Sequence, residues 1–394
     1  MQDFCVKAYK TCKQHSYREF SKIHSMASYL AMFPPILPYF FIAQYSQEND
    51  LIYDPFAGRG TVPFEACRMG RIGIGNDLSP LAFCLIKAKI NIPETSKIKR
   101  RLKDLARHYA PPDIEGVDTD IKVLFEERLT LPQLVYLKQS LKLSRSVDNF
   151  IMATLAGILH GKCRKDGTSM YCSIDMPNTF SMAPNYIRGF VAKHDLKKLR
   201  QDVFQLLEHR IDSLFTPSKY PQQNMSHYQR GYCFSTDALK CSQKVIKKYG
   251  QNAISLIITS PPYLKNISYG KYNWIRFWLF QEDFEGFKQN KYRLDGLKDN
   301  LIFEKYAHYL QELFNSWAEV LKPGGRAVVV IGDLHTLNLA QKTWDWIQAN
   351  GGCALRLESM LEDNPEYSGK TTRIWGAKKG QATKVDRILM LKKD

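Results

Sequence analysis

The chain has 394 residues, 44% of them hydrophobic, enough to build a core in two domains or in one domain with a large insertion. Its formal net charge of +17 favours a polyanionic partner such as nucleic acid, although surplus lysine can also simply keep a surface solvated. The nine cysteines are scattered without a C-x-x-C pair, and we interpret the nearest grouping, His160, Cys163 and Cys172, as packing rather than as a metal site.

Hydrophobic runs bear on the location of the protein. No apolar segment of signal-peptide length follows Met1, and no run of 18 apolar residues occurs anywhere in the chain. Scattered cysteines without a pairing pattern are typical of reduced thiols in a reducing compartment. We therefore predict a soluble cytoplasmic protein without a membrane partner.

The first part of the chain alternates short apolar runs with helical patterns. After the aromatic stretch "YLAMFPPILPYFFIAQYS", a strand at 51–53 is predicted to enter a loop that contains Gly58 and Gly60, and a helix follows from about Val62. A second strand, in "RIGIGND", ends at Asp77. Strand, glycine loop, helix, strand and acid are typical of a doubly wound nucleotide-binding sheet, although a plain strand-turn-helix corner would carry the same loop.

The middle of the chain, 94–229, lacks this alternation. It begins with the basic stretch "KIKRRLKDLARHYA" and continues with helical patterns in "LPQLVYLKQSLKLS", "VDNFIMATLAGILHGKC" and "HDLKKLRQDVFQLLEHRIDSLF". Between the last two lies the polar, turn-rich segment "GTSMYCSIDMPNTFSMAPNYIRGFV". We predict a helical insertion whose polar loop faces a ligand; the alternative is that these residues only cap and pack the helices.

Strand and helix alternate again after the insertion. The segment "RGYCFSTD" predicts a strand that ends at Asp237, and "AISLIITSPPY" predicts a buried strand. An amphipathic helix, a "KPGG" turn, a buried strand at 327–331 and a final strand in "TKVDRILMLKKD" follow. The aromatic segment "YGKYNWIRFWLF" is interpreted as core, although Trp274 and Tyr272 could instead border a ligand pocket.

The buried strand in "AISLIITSPPY" ends abruptly. Pro261 and Pro262 cannot donate to a sheet ladder, and the first of them restricts the residue that precedes it. We therefore expect the strand to stop at Thr259 and to leave Ser260, the two prolines and Tyr263 at its tip. Such a tip presents a hydroxyl, a carbonyl oxygen and an aromatic ring on a rigid loop.

The segment "DPFAGRGT" followed by "TSPPY" resembles the amino-directed DNA methyltransferases that use S-adenosylmethionine, in particular the group with a Ser-Pro-Pro-Tyr motif. The segments "YLAMFPP" and "VLKPGG" are also similar to elements of this family, so the resemblance covers roughly residues 20–93 and 230–394. It implies an α/β fold, a Rossmann-like methyltransferase sheet with helices on both faces and a large mainly helical insertion. Residues 1–93 would form the cofactor-binding half and 230–394 the catalytic half.

The resemblance also implies where S-adenosylmethionine binds. The methionine side of the cofactor would contact five residues, namely Asp54, Phe56, Ala57, Gly58 and Gly60. Asp77 would hold the ribose hydroxyls, and Asp237 would face the adenine amine. Arg59 departs from the small residue usual in this loop, and we expect its side chain to point to solvent or to phosphate.

The tip residues fit catalysis on an exocyclic base amine, whose lone pair is delocalised into the ring. Ser260 Oγ and the carbonyl of Pro261 can each accept one N–H bond from the amine, and Pro262 helps to fix the carbonyl direction. Tyr263 offers a face on which a flipped base can stack. We predict direct in-line methyl transfer without a metal, to cytosine N4 because serine goes mainly with cytosine, with adenine N6 as the alternative.

Double-stranded DNA is the implied partner, which places the protein at the nucleoid, and a cognate restriction endonuclease could exist as a separate chain. The candidate DNA contacts are Lys97, Lys99, Arg100, Arg101, Asn178, Asn185 and Tyr186. Cytosine C5 methylation is excluded because none of the nine cysteines follows a proline. Two rivals remain: a methylase of RNA bases, and an inactive methylase fold retained as a DNA-binding module.

Overall fold

The computed structural model describes residues 20–29, 32–194, 196–216, 225–262, 264, 269–293, 301–333, 337–363 and 385–394. A seven-stranded sheet lies at its centre, in the order β3-β2-β1-β4-β5-β7-β6. The strands are β1 Leu51–Asp54, β2 Ile72–Asn76, β3 Tyr232–Phe234, β4 Ile254–Thr259, β5 Leu321–Gly332, β6 Arg356–Asp363 and β7 Asp386–Lys392.

The direction of the strands decides which residues meet. Strands β3, β2, β1, β4 and β5 pair in parallel, whereas β7 is antiparallel to both β5 and β6. Tyr53 of β1 lies opposite Ile74 of β2 and Ile257 of β4, so the carboxyl ends of these strands share one edge. Ligands of open α/β sheets bind outside this edge.

Fifteen α-helices and one short 3-10 helix, Lys22–Ser25, accompany the sheet within the described ranges. The α-helices are α1 Ile36–Tyr45, α2 Thr61–Arg68, α3 Pro80–Ile90, α4 Thr95–Arg107, α5 Thr119–Lys122, α6 Thr130–Ser140, α7 Ser146–Ile158, α8 Pro184–His194, α9 Val203–Phe215, α10 Ala238–Tyr249, α11 Tyr269–Tyr272, α12 Trp274–Phe277, α13 Phe284–Gln289, α14 Phe303–Val320 and α15 Leu339–Ala349. None of them is long and apolar enough to cross a membrane.

Alternate residues of the strands face two apolar layers. Ile52, Leu256 and Val328 pack against α1 and α2 on one face of the sheet. Tyr53 and Ile257 pack against α10, α14 and α15 on the other face. The predicted α/β class, a Rossmann-like methyltransferase sheet with helices on both faces, is therefore confirmed.

The segment between α3 and β3 contains helices α4 to α9, as the predicted helical insertion requires. Its core is continuous with buried residues of α2 and α3, among them Phe64 and Leu85. The two ends of the segment meet, because the N–H of Gly231 donates to the carbonyl of Ile90 at 2.9 Å and the Ile92 N–H donates to the Tyr228 hydroxyl at 3.1 Å. Because the core is shared, the boundaries at 94 and 229 stay a prediction.

Two expectations about the insertion were wrong in detail. The helix in "HDLKKLRQDVFQLLEHRIDSLF" starts only at Val203, whose N–H donates to the side chain of Gln133 at 2.7 Å. Asp202 caps this helix by accepting the N–H groups of Phe204 and Gln205, so the chain enters it from a non-helical segment. The expected polar loop in turn ends in a helix, α8, because Pro184 at its first position is preorganised for helical geometry.

Candidate active site

A cleft lies at the carboxyl edge of the sheet and encloses about 970 Å³ of space, part of it open to solvent. It is lined by Tyr29, Met32, Phe33, Asp54, Pro55, Phe56, Ala57, Gly58, Arg59, Thr61, Asn76, Asp77, Leu78, Ser79, Thr236, Asp237, Ala238, Ser260, Pro262, Tyr269 and Tyr309. The cleft therefore brings together the tips of β1, β2, β3 and β4. It contains all of the cofactor-site candidates that we predicted except Gly60, which directly precedes α2.

Asp54 forms the end of β1 and is held in place from two sides. Its Oδ1 accepts the N–H of Phe56 at 3.1 Å and the hydroxyl of Thr259, the last residue of β4, at 2.7 Å. Burial raises the pKa of Asp54 to about 7, the two hydrogen bonds oppose the rise, and the charge of Asp77 adds to it. The Thr259 bond joins the candidate cofactor strand to the candidate catalytic strand.

Asp77 braces the loop that follows β1. Its Oδ2 accepts the N–H of Gly58 at 2.9 Å, and its Oδ1 accepts the N–H of Ser79 at 2.9 Å. Burial raises the pKa of Asp77 to about 6, although these backbone bonds oppose the rise. One buried and one half-buried carboxylate in the same cleft make a site that favours a cationic ligand.

The loop needs glycine at Gly60. This residue has a φ of +77°, and a Cβ built on it would lie 3.0 Å from the Cα of Ile86 in α3. Gly58 has a φ of +50°, and its N–H donates to the carboxylate of Asp77. Because neither glycine has a Cβ, a ligand can approach the backbone of this loop closely.

Asn76, at the end of β2, was not predicted as a site residue. Its Nδ2 donates to the carbonyls of Pro55 and Thr236, each at 3.0 Å, and its Oδ1 accepts the N–H of Thr236 at 3.2 Å. The amide therefore connects the loops after β1 and β3 and sets the distance across the cleft. A polar residue at the buried end of an apolar strand was the available signal.

Asp237 and Phe56 also line the cleft. Asp237 caps α10 by accepting the N–H of Leu239 at 2.9 Å. The ring of Phe56 lies edge-on to that of Tyr309, with centroids 6.4 Å apart. The sequence pattern gave no signal for Tyr309, which reaches the cleft from α14.

Ser260 follows β4 directly and faces the same cleft. Its Oγ is buried and has no hydrogen-bond partner among the residues that the structure describes. Pro262 also lines the cleft, whereas Pro261 is buried beside it. The strand ends at Thr259 as predicted. Tyr263 lies outside the described residues.

The expectation for Arg59 was wrong. The side chain is buried and points inward, where it donates to the carbonyls of His24 and Phe33, each at 3.2 Å. It ties the segment before α1 to the glycine loop. A guanidinium with five donors can satisfy several carbonyls at once, which explains why arginine is tolerated here.

The aromatic segment after the tip packs mainly as core, as interpreted. Trp274 is fully buried and its Nε1 donates to the carbonyl of Met182 at 2.8 Å. Tyr272 remains 36% exposed at the surface. Tyr269, which was not predicted, lines the cleft.

The basic candidates for DNA contact lie on α4 and are partly neutralised. Lys97 pairs with Glu94, Lys99 with Asp212, and Arg101 with both Asp104 and Asp148. Arg100 is exposed and forms no salt bridge within the described ranges. Of the four, Arg100 therefore retains the most available charge.

The polar candidates lie in and after the loop that precedes α8. The amide of Asn178 donates to the hydroxyl of Tyr171 at 2.8 Å, and the side chain of Asn185 contacts Arg188. Tyr186 is 56% exposed. None of these residues lines the cleft itself.

The sheet order, with an antiparallel β7 between β5 and β6, and the cleft at the carboxyl edge define a Rossmann-like methyltransferase fold. Residues 6–87 match the family model described as DNA methylase. The Type II methyltransferase M.MjaII of Methanocaldococcus jannaschii is 31% identical over 83 residues, which cover 21% of this chain and 16% of that protein. The likeness to DNA methylases thus covers about a fifth of this chain, and the match to the curated relative spans only 16% of that protein's length.

Two solved structures align with more than nine tenths of this chain at low sequence identity. An rRNA methyltransferase, aviRa, from Streptomyces viridochromogenes is 9% identical, with a TM-score of 0.34 over 91% of this chain and 85% of its own. TrmN from Thermus thermophilus is 10% identical, with a TM-score of 0.35 over 94% of this chain and 52% of its own. Likenesses this weak carry no argument about substrate.

Proposed function

We propose that this chain methylates DNA by transferring a methyl group from S-adenosylmethionine to the exocyclic N4 amine of a flipped cytosine in a specific sequence. The observation that carries the proposal is the buried, unpartnered Ser260 hydroxyl, which shares a cleft with the buried carboxylate of Asp54 and the half-buried carboxylate of Asp77. The DNA methylase match over residues 6–87 supports the same conclusion.

The cleft fits the proposed cofactor. S-adenosylmethionine carries a sulfonium and an ammonium, and Asp54 and Asp77 offer it two desolvated carboxylates. Asp54 would hold the ammonium, and Asp77 would accept the ribose hydroxyls with the lone pairs that its two backbone bonds leave. Asp237 would accept from the adenine amine. When bound, the cofactor supplies the electrophilic methyl group.

The chain's own residues would then prepare the target amine. Ser260 Oγ and the Pro261 carbonyl would each accept one N–H bond, which draws the nitrogen toward tetrahedral geometry and localises its lone pair. The acceptors cost no reorganisation because the prolines fix the backbone direction. Tyr263 would stack on the flipped base.

Cofactor affinity is expected to depend on pH. The pKa of Asp54, about 7, and that of Asp77, about 6, lie above the ordinary value of 3.8, so both carboxyls take up protons as the pH falls through 7 and 6. A cationic ligand favours the ionised forms, and its affinity should fall about tenfold from pH 8 to pH 6, since one pKa unit corresponds to a factor of ten. Titration calorimetry with S-adenosylmethionine at these pH values measures the effect.

The matched variant is Asp54→Asn, which should bind more weakly and lose most of the dependence above pH 6. The ligand-free protein should show the opposite trend in stability. Because the folded state binds protons that the unfolded state releases, the contribution of these two groups to the free energy of unfolding rises as the pH falls from 7 toward 4. An affinity that is constant from pH 8 to pH 6 would contradict the proposed contact.

The target atom is tested by the product. The protein is incubated with double-stranded DNA and S-adenosylmethionine, and the digested nucleosides are analysed by mass spectrometry. We expect N4-methylcytosine, because the short serine hydroxyl is an adaptable acceptor that can also donate. N6-methyladenine as the sole product would refute the cytosine assignment. Methylation of RNA offered in place of the DNA, without methylation of DNA, would establish the RNA alternative.

Further parts of the proposal concern partners and location. A DNA methylase of this kind could protect DNA from a cognate restriction endonuclease encoded as a separate chain. The protein would act in the cytoplasm, at the nucleoid, where its substrate lies. Arg100 and the other basic residues of α4 would contact phosphates.

A further inference from the structure

Helix α8 presents aromatic side chains to solvent: Tyr186 and His194 are exposed, and Phe190 is half-buried. Only Pro184 and Ile187 of this helix are buried. Tyr186, Phe190 and His194 follow one another at intervals of four residues; their ring centroids are 5.7 Å apart for the first pair and 4.4 Å apart for the second. Residues at this spacing lie on one side of a helix. We name these three residues the aromatic ladder.

The aromatic ladder is anchored to the wall of the cleft. The loop before α8 is joined to α11 and α12 by three hydrogen bonds: Ser181 N–H to the Tyr272 carbonyl at 2.6 Å, Trp274 Nε1 to the Met182 carbonyl at 2.8 Å, and the Arg276 guanidinium to the Asn178 carbonyl. Tyr269 of α11 lines the cleft. The root of α8 is therefore fixed relative to the active site.

The support beneath this loop is rigid. Arg276 is fully buried, and its Nε also donates to the carbonyl of Ala156 in α7 at 3.0 Å. One guanidinium thus holds α7, α12 and the loop before α8 together. A helix fixed in this way can present its rings at a constant distance from the cleft.

The charge around the aromatic ladder indicates the class of ligand. Helix α8 has no carboxylate and carries the exposed Lys193 beside Arg188, which pairs with Asp120 of α5, in a chain whose net charge is +17. Exposed rings beside cations are typical of surfaces on which nucleic-acid bases stack while the phosphates are held electrostatically. A cation at the edge of this face would be unfavourable for a purely apolar partner.

We propose that the aromatic ladder stacks on unpaired DNA bases next to the target nucleotide, an inference that rests on the proposed function. Flipping a base out of a duplex removes stacking from its neighbours and leaves its partner base unpaired. Rings on a helix whose preceding loop is bonded to α11 and α12 would replace part of that stacking. The ladder thereby lowers the cost of opening the duplex at the position where the methyl group is transferred.

The test compares Tyr186→Ala/Phe190→Ala with the parent protein. Fluorescence anisotropy measures binding to a labelled single strand of mixed sequence and to the matching duplex. We expect the double variant to bind the single strand roughly five- to a hundredfold more weakly per lost stacking contact, with a small change for the duplex. Its dependence of affinity on salt should be that of the parent, because no phosphate contact is lost.

Two further variants serve as controls. Tyr232→Ala removes a 40% exposed tyrosine from the edge strand β3, and it should leave both affinities unchanged. Arg100→Glu should weaken single strand and duplex alike and reduce the salt slope by roughly one unit per lost phosphate contact. The three variants thus separate stacking from charge.

Several outcomes overturn the proposal. Unchanged single-strand affinity in the double variant does so directly, and so does a loss that is equal for single strand and duplex. A shift from dimer to monomer in sedimentation would show instead that the ladder covers a second copy of the chain. Failure of the proposed function is distinguishable, because it appears as absent methyl transfer to DNA while the double variant still binds the single strand more weakly than the parent does.

Discussion

Replacing Ser260 by alanine is expected to lower the methylation rate by roughly 10²–10³-fold, the loss typical of removing one preorganised hydrogen-bond partner from a transition state. The buried hydroxyl has no other partner among the described residues, so its removal leaves no broken contact in the ligand-free protein. Folding stability and cofactor affinity should therefore be nearly unchanged. Single-turnover rates with saturating cofactor, together with calorimetric cofactor affinity, provide the measurement.

The matched control is Ser255→Ala, which removes a hydroxyl from the other end of the same strand. Ser255 Oγ donates to Asp50 at 2.6 Å, outside the cleft, so this variant should lose some stability and little of its methylation rate. A Ser260→Ala protein that methylates DNA as fast as the parent would exclude the hydroxyl from the chemistry. Equal losses in both variants would point to a general effect of strand β4.

Asp77→Ala is expected to weaken cofactor binding by about 10- to 100-fold, which corresponds to about 1.5–3 kcal/mol for a hydrogen bond to a charged group. The carboxylate also accepts the N–H groups of Gly58 and Ser79, so part of the loss would come from a loosened loop. Asp77→Asn retains the size of the side chain and one acceptor oxygen, and it should bind with intermediate affinity.

A modified ligand separates the two causes. S-adenosylhomocysteine is compared with its 2′-deoxy form by calorimetry on the parent and on both variants. If Asp77 accepts from the ribose hydroxyls, the parent prefers the ribose form and the alanine variant loses that preference. A preference that survives in Asp77→Ala would mean that the acid only supports the loop.

The strand ends were the part of the site that sequence could predict. Asp54, Asp77, Asp237 and Ser260 each follow a recognisable apolar run, and parallel strands bring their carboxyl ends to one edge. The contacts between these tips could not be predicted in the same way. Asn76 reaches Thr236, 160 positions away, and nothing local in either sequence segment specifies that pairing.

Other misses share this cause. Arg59 was expected to point to solvent or to phosphate, yet its guanidinium donates to the carbonyls of His24 and Phe33. The start of α9 at Val203 depends on side chains of α6, which no periodicity in the α9 segment contains. Hydrogen bonds between distant segments determine these details, whereas the hydrophobic periodicity of the sequence determines where helices and strands form.

The meeting of the two ends of the insertion, at Ile90 and Gly231, has a consequence for how such proteins diversify. A segment that leaves and re-enters a fold at adjacent points can be exchanged without stretching the strands on either side. The residues of the cleft would then stay unchanged, while the exchanged helices would provide a different surface for recognising the substrate. The constraint on any replacement is the apolar surface of α2, α3 and α12, which an incoming unit must cover as the present one does.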